Sequence, residues 1–308
     1  MSSINRYTDY DPWAWLYNQS EAQLAYQRFM PCLEKVLFPA IPKSAKILDL
    51  CCGTGQLSHQ LTQRGYQVTG LDGSEKMLHY ARENAPQVNF VLEDARNFHF
   101  ETQFDAVLST DSGLNHILSL EELQQVFQNV FNALKPNGLF LFDLGLEKRY
   151  RNIPVNDGEL KEDYAWMVGE TYDPLQKTGT FTITMFQPKN SSSSVQNHLQ
   201  LQQIKRSIFN AVLRYLKPSI LLNWVEKDWQ RSDLTFSVKP YTQQEVRAAL
   251  EAVGFTQVQV YKPTGKLSKS PEKRYAYFMA CKSSQSEKSQ SQTEAKEASV
   301  SYREPKQA

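Results

Sequence analysis

The chain has 308 residues, with 34 Lys and Arg against 33 Asp and Glu, a formal net charge of +1, and a composition that is 41% hydrophobic and 12% aromatic. That is too apolar for a disordered chain, and too neutral for a long-range pull toward nucleic acid or an anionic membrane. No apolar run approaches the roughly 20 residues of a membrane span, and MSSINRYTDYDPWAW holds no signal-peptide core, so a cytoplasmic protein without a membrane span is expected.

In chain order, Tyr7 to Tyr17 is an aromatic segment with a helix start at Asp11-Pro12. A helical stretch from Ser20 follows, kinked or restarted at Pro31. Strands and helices then alternate. Lys46 to Leu50 (KILDL) is a strand, and Gln56 to Arg64 a helix that stops at Gly65. Gln67 to Leu71 is the second strand. Ser74 to Asn84 is a helix with Met77, Leu78 and Ala81 on one face. Val88 to Leu92 and Phe104 to Ser109 are the third and fourth strands. Glu121 to Leu134 is a helix, Pro136-Asn137-Gly138 a turn, and Leu139 to Leu144 the fifth strand.

Residues 151 to 240 carry alternating runs, at Tyr164 to Glu170, Thr180 to Phe186 and Leu234 to Val238, that read as an antiparallel insert. Pro188 to Gln200 reads as a flexible loop, and Gln202 to Leu216 as part of the insert or as a helix. Thr242 to Val253 is a helix closed by Gly254, followed by strands Thr256 to Tyr261 and Arg274 to Cys281 with no helix between them. Lys282 to Ala308 is polar enough to be a disordered tail. The sum is an α/β, Rossmann-like, seven-stranded mostly parallel sheet with an antiparallel last strand, plus an antiparallel β-rich insert.

The chemistry concentrates at the tips of three successive strands. Asp49 precedes the loop Cys51-Cys52-Gly53-Thr54-Gly55, whose two glycines let a ligand approach the backbone. Asp72 ends the second strand, where a carboxylate can take both hydroxyls of a ribose. Asp94 follows the third, where one can meet an adenine amino group. Alone, Asp72 is also a helix N-terminal charge and Asp94 a turn acid. In this order the set describes a nucleoside cradle. Cys51 and Cys52 read as two small buried residues, and with Cys32 and Cys281 as reduced thiols.

ILDLCCGTGQ, VTGLDGSEKMLHYAR, VLEDARNF, LKPNGLFLFDL and GFTQVQVY together resemble the class I S-adenosylmethionine-dependent methyltransferases, small-molecule bacterial members above all. The resemblance implies S-adenosylmethionine as cofactor and a small-molecule acceptor as partner. The chain then divides into a methyltransferase domain of residues 1–150 and 240–281 with an N-terminal helical cap over 1–43, an insert over 151–239 whose aromatic residues make it the candidate substrate lid, with a second small core as the plain alternative, and the tail over 282–308. By position the resemblance implies that Gly53 and Gly55 contact the methionine portion, with Asp49 supporting them. Asp72 would hold the ribose. Gly73 and Met77 would flank the adenine, and Asp94, Ala95 and Arg96 hold its edge. Ser109 and Thr110 would line the methionine end, Asp111 would lie nearer the acceptor, and Tyr10 and Tyr17 would fold over from the N-terminal segment.

A sulfonium methyl needs in-line alignment more than covalent help. A proton-bearing acceptor needs a base, and His116 beyond the fourth strand is the candidate, with Tyr17 beside it; a histidine packed on the next helix is the plain alternative. His59, His79, His99 and His198 lack metal-ligand spacing, so no metal is expected. A dinucleotide-dependent oxidoreductase competes on fold. Ser58 in the third glycine place, Asp49 before the loop and the antiparallel last strand weigh against it. Nucleic-acid methylation is disfavoured, since STDSG replaces an Asn/Asp-Pro-Pro-Tyr motif. A non-catalytic binding module on the same fold is the third alternative.

Overall fold

The computed structural model describes residues 10–20, 22–151, 157–161, 163–188, 229–268 and 274–284. Its elements are α1 (Ala14–Gln19), α2 (Ala22–Cys32), β1 (Lys46–Leu50), α3 (Gln56–Gln63), β2 (Gln67–Asp72), α4 (Glu75–Asn84), β3 (Asn89–Leu92), β4 (Phe104–Ser109), α5 (Leu120–Ala133), β5 (Leu134–Gly145) and α6 (Glu147–Arg151). There follow β6 (Asp157–Leu160), β7 (Ala165–Asp173), β8 (Thr178–Pro188), β9 (Trp229–Val238), α7 (Gln243–Val253), β10 (Thr256–Tyr261) and β11 (Tyr275–Cys281). The first sheet has seven strands in the order β10-β11-β5-β4-β1-β2-β3, and the second four in the order β6-β7-β8-β9.

In the first sheet β1 to β5 pair in parallel, while β11 runs antiparallel to both β5 and β10. Both faces are covered, which explains the near-continuous apolar strands. Alternate β5 residues feed opposite cores. Phe140 and Phe142 pack with Phe127 of α5, Leu250 of α7 and Phe278. Leu139 and Leu141 pack with Phe29 and Leu33 from the α2 region and with Leu57 and Leu61 of α3. The helices start where the sequence places caps. Ser74 accepts the Met77 N–H, Ser119 accepts the Glu122 N–H, and Thr242 forms a capping box with Glu245.

The structure departs from the sequence reading at four places. β5 begins at Leu134, so Pro136-Asn137-Gly138 lies inside the strand as an irregularity: Phe104 faces Leu134 while Ala106 faces Leu139. Asn137, at φ 62°, supplies the left-handed residue that this bulge needs. α2 continues through Pro31 into a π turn at Leu33–Leu37, because the proline sits in the last turn of the helix. β9 extends back to Trp229, well before Leu234, since its whole length pairs with β8. Lys282 is not loose: its N–H donates to Gly138 O and its Nζ to the carbonyls of Phe131 and Leu134. The stretch 202–216, most of the 188–200 loop and the tail from 285 lie outside the described residues.

The second sheet and the N-terminal helices share a third core. Leu16 packs with Tyr164, Val168, Ile183, Met185 and Phe236, and Tyr10, Trp13 and Trp15 pack around them. The N-terminal segment therefore lies against both sheets, above the carboxyl ends of β1, β2 and β4.

Candidate active site

Two cavities meet at the carboxyl ends of the parallel strands. The smaller, of about 190 Å³, is lined from the β1 loop by Cys51 and Gly53 and after β2 by Asp72, Gly73, Ser74 and Met77. Asp94, Ala95 and Arg96 line it after β3, and Thr110, Asp111, Gly113, His116 and Ile117 after β4. Tyr10, Trp13 and Tyr17 close it from the N-terminal segment. The larger, of about 670 Å³, lies between that segment, α6 and the second sheet, and Trp166, Glu170, Phe181, Arg149 and Tyr275 are among its walls. Trp13, Tyr17, Asp111 and His116 line both and form the partition.

The ribose acid is set by backbone donors. The Gly53 N–H donates to Asp72 Oδ2 and the Ser74 N–H to Oδ1, each at 2.9 Å. A carboxylate has acceptor capacity beyond these bonds, which suits it to a ligand hydroxyl in the cavity that it lines. Burial pushes the Asp72 carboxyl above its usual range, the backbone donors of Ser74, Gly53 and Gly73 pull it back, and Asp11 pushes it up again. Asp11 reaches over from the N-terminal segment: its Oδ1 accepts from Ser74 Oγ at 2.6 Å and from the Lys76 N–H at 3.3 Å, at the start of α4.

Asp94 is engaged otherwise. Both its oxygens are bound by Arg96, through the backbone N–H, Nε and Nη2, while Arg96 Nη1 donates to Glu122 Oε1 at 2.7 Å. The cavity thus meets an Asp94–Arg96 fork rather than a bare acid.

Three expected residues stand outside the lining. Asp49 is 1% exposed and accepts the Ser58 hydroxyl at 2.6 Å. Its carboxyl is pushed up to about 7 by burial, against the Ser58 hydrogen bond and with the nearby Asp72 adding to the rise. Gly55 is the residue before α3, at φ 80°, and a Cβ there would lie 3.0 Å from Ala81, so this glycine serves helix packing. Ser109 is buried, and its Oγ would lie 3.9 Å from a Cβ at Gly113, behind Cys51 at 3.1 Å. Cys51 corrects the simple buried-thiol reading: at φ 59° it is half-buried and turns toward the cavity.

Sequence reasoning missed Trp13, Ser74, Gly113 and Ile117. Trp13 carried a signal, since it falls one helical turn before Tyr17, and the two rings meet edge-on at 5.2 Å. Gly113 and Ile117, in the loop after β4, carried none. Asp111 and Ser112 both adopt left-handed backbone, at φ 60° and 59°, at a cost of about 1–3 kcal/mol each.

The Tyr17 hydroxyl donates to Asp111 Oδ2 at 3.1 Å, and its ring lies 3.3 Å from where a Gly53 Cβ would sit. Protein surrounds Asp111, but its carboxylate is open to the cavities; burial raises its carboxyl, while Arg28, the Tyr17 hydroxyl and Arg149 lower it. The His116 ring stands edge-on to Tyr10 at 5.2 Å and to Phe236 at 6.0 Å. Tyr10 itself stacks on Phe236 at 4.7 Å. Asn18 Oδ1 accepts from Gln56 and Asn84, so a third point pins the N-terminal segment. Among the described residues no cluster of His, Cys, Asp and Glu could hold a metal, and no helix is long and apolar enough to cross a membrane.

Residues 47–138 match the family model described as a methyltransferase domain. Over that stretch the chain resembles a methyltransferase domain. The chain is 34% identical over 139 residues to YqeM of Bacillus subtilis, which bears a methyltransferase name, over 44% of this chain and 55% of that protein. It is 43% identical over 107 residues to an uncharacterized methyltransferase of Synechocystis, over 34% of this chain and 50% of that one. The chain spans about half the length of these curated relatives. By fold, the chain matches an S-adenosylmethionine-dependent methyltransferase from Clostridium acetobutylicum with a TM-score of 0.64 at 16% identity, over 89% of this chain and 99% of that one. It matches S-adenosylmethionine-bound CalS10, an amino pentose methyltransferase from Micromonospora echinaspora, with a TM-score of 0.59 at 16% identity, over 88% and 95%. Likeness at this identity speaks for the fold alone.

Proposed function

We propose that the chain transfers a methyl group from S-adenosylmethionine to a small-molecule acceptor. The observation that carries this is the Asp72 carboxylate, oriented by Gly53 and Ser74, in the wall of a cavity that opens through an aromatic partition onto a larger one. The relatives favour a small acceptor: one is named a dTDP-amino-sugar N,N-dimethyltransferase and another a glycine/sarcosine N-methyltransferase.

The residues fit the cofactor. Asp72 would hold the ribose hydroxyls, Met77 and Ile117 the faces of the base, and the Asp94–Arg96 fork its edge. Gly53 leaves room beside Tyr17 for the chain that leads to the sulfur. When bound, the cofactor supplies an activated methyl on a cationic sulfur. The protein's part is alignment and water exclusion, which Trp13 and Tyr17 provide from above. The faces of these rings and the Asp111 carboxylate favour positive charge at the partition. The larger cavity holds the acceptor, with Trp166 and Phe181 as walls, so the second sheet serves as its lid. His116 reaches that cavity and would take a proton from the acceptor where one must leave. A cytoplasmic setting belongs to this reading and is supported by four cysteines present as thiols.

The test is release of S-adenosylhomocysteine from S-adenosylmethionine across a panel of small amines, hydroxy acids and amino sugars. Turnover with one class supports the reading; formation of the same product only with nucleic acid would redirect it.

A further inference from the structure

Asp143, on β5, lines neither cavity and is 3% exposed, yet it spends both carboxylate oxygens on one residue of the loop after β4. The Ser112 N–H donates to Oδ1 at 3.1 Å, and the Ser112 hydroxyl donates to Oδ2 at 2.8 Å. Ser112 is the second of the two consecutive left-handed residues, and Asp111 is the first. The far end of the loop has its own anchor: Asn115 accepts the Gly145 N–H and donates to the carbonyls of Gly145 and Lys239. Thus Asp143 grips Ser112 by its N–H and its hydroxyl at the strained end, where Tyr17 bonds Asp111 and the Asn115 N–H bonds the Ser112 carbonyl.

We infer that Asp143 is a positioning residue, which holds Asp111, and through it the Tyr17 hydroxyl, in the partition between the two cavities. The chemistry is specific. A backbone left-handed at two successive non-glycine positions relaxes toward ordinary conformations unless something binds it in place. A carboxylate with one oxygen for the Ser112 N–H and the other for its hydroxyl supplies two charge-assisted bonds at that point. Release would swing Asp111 away from Tyr17 and unseat the partition, while the Asp72 end of the smaller cavity, held by β1, β2 and α4, would be untouched.

The role in methyl transfer rests on the function proposed above; the grip on the loop does not. The test compares Asp143→Ala, Asp143→Asn and Ser112→Ala in the full chain. Asparagine can accept the Ser112 N–H and donate to its hydroxyl, so it should restore what alanine removes. Amide hydrogen exchange across residues 110–114 should rise about tenfold in Asp143→Ala, less in Ser112→Ala, and stay within about threefold of wild type in Asp143→Asn. Affinity for S-adenosylhomocysteine should fall about tenfold in Asp143→Ala, while affinity for adenosine, which engages Asp72, Met77 and, beyond the Asn115 anchor, Ile117, should hold. An equal loss for both ligands, an exchange rise spread over the whole sheet, or an asparagine variant as damaged as alanine would overturn the inference. Should Asp143→Ala fail to fold, Ser112→Ala against wild type gives the same split between ligands, and an unchanged loop there overturns it. Should wild type bind neither ligand, the proposed function fails, and the exchange experiment still decides whether Asp143 holds the loop.

Discussion

The backbone N–H of Gly53 donates to the carboxylate of Asp72 across 2.9 Å, and so joins the tip of β1 to the tip of β2. The glycine loop and the ribose acid, separate signals in the sequence, are one hydrogen-bonded unit. The bond also fixes which lone pairs of Asp72 remain for a ligand.

Substitutions at the two loop glycines should separate packing from binding. Gly55→Ala forces a left-handed alanine against the Ala81 backbone and should destabilise the fold by about 1–3 kcal/mol, read by urea denaturation. Gly53→Ala, at φ 54°, meets the Tyr17 ring at 3.3 Å. It should weaken cofactor binding measured by calorimetry more than it lowers stability.

Much of this was legible in the sequence, and for a physical reason. β1, β4 and β10 have the bounds that the sequence predicts, β1 and β4 because both faces of the strand must be buried and the chain has few ways to begin or end such a run, and β10 because its residues alternate between a buried and an exposed face after the Gly254 helix stop. The order of Gly53, Asp72 and Asp94 was legible because each follows a strand whose end is easy to see. What local pattern does not carry is pairing across the chain. Nothing in STDSGLNH announces that Ser112 is held by an aspartate on another strand, or that Asp11 reaches Ser74. Asn137 misled for the same reason: Pro-Asn-Gly is a turn signal in isolation, and only the β4 and β11 neighbours make it a bulge.

The N-terminal segment should set the rate of cofactor release. Tyr10 is stacked on Phe236 and Tyr17 is bonded to Asp111, so Phe236→Ala and Tyr17→Ala each free one of its contacts. Each should raise the dissociation rate of S-adenosylhomocysteine by roughly tenfold, an effect of about 1.4 kcal/mol, in stopped-flow experiments. Tyr17→Phe keeps the ring over Gly53 and should give a smaller change.

Stability should fall as pH rises toward neutrality. Burial holds the folded-state carboxyl of Asp49 up at about 7 and that of Asp143 at about 6, above the unfolded values near 4. The folded state therefore binds protons more tightly than the unfolded chain, and its advantage is full below about pH 4 and is lost as pH climbs through 6 and 7. From these groups, urea denaturation should show about 4 kcal/mol less stability at pH 8 than at pH 5. Asp49→Asn should flatten much of that slope.

The most direct measurement is calorimetric titration of wild type and Asp72→Ala with S-adenosylmethionine, with NAD as the control. Wild type should bind the sulfonium compound with one site and ignore NAD. Asp72→Ala, which removes two charge-assisted hydrogen bonds to the ribose, should lose about 2–4 kcal/mol of affinity. Tight binding of NAD with no heat from S-adenosylmethionine, or an Asp72→Ala variant that binds as well as wild type, would contradict the account.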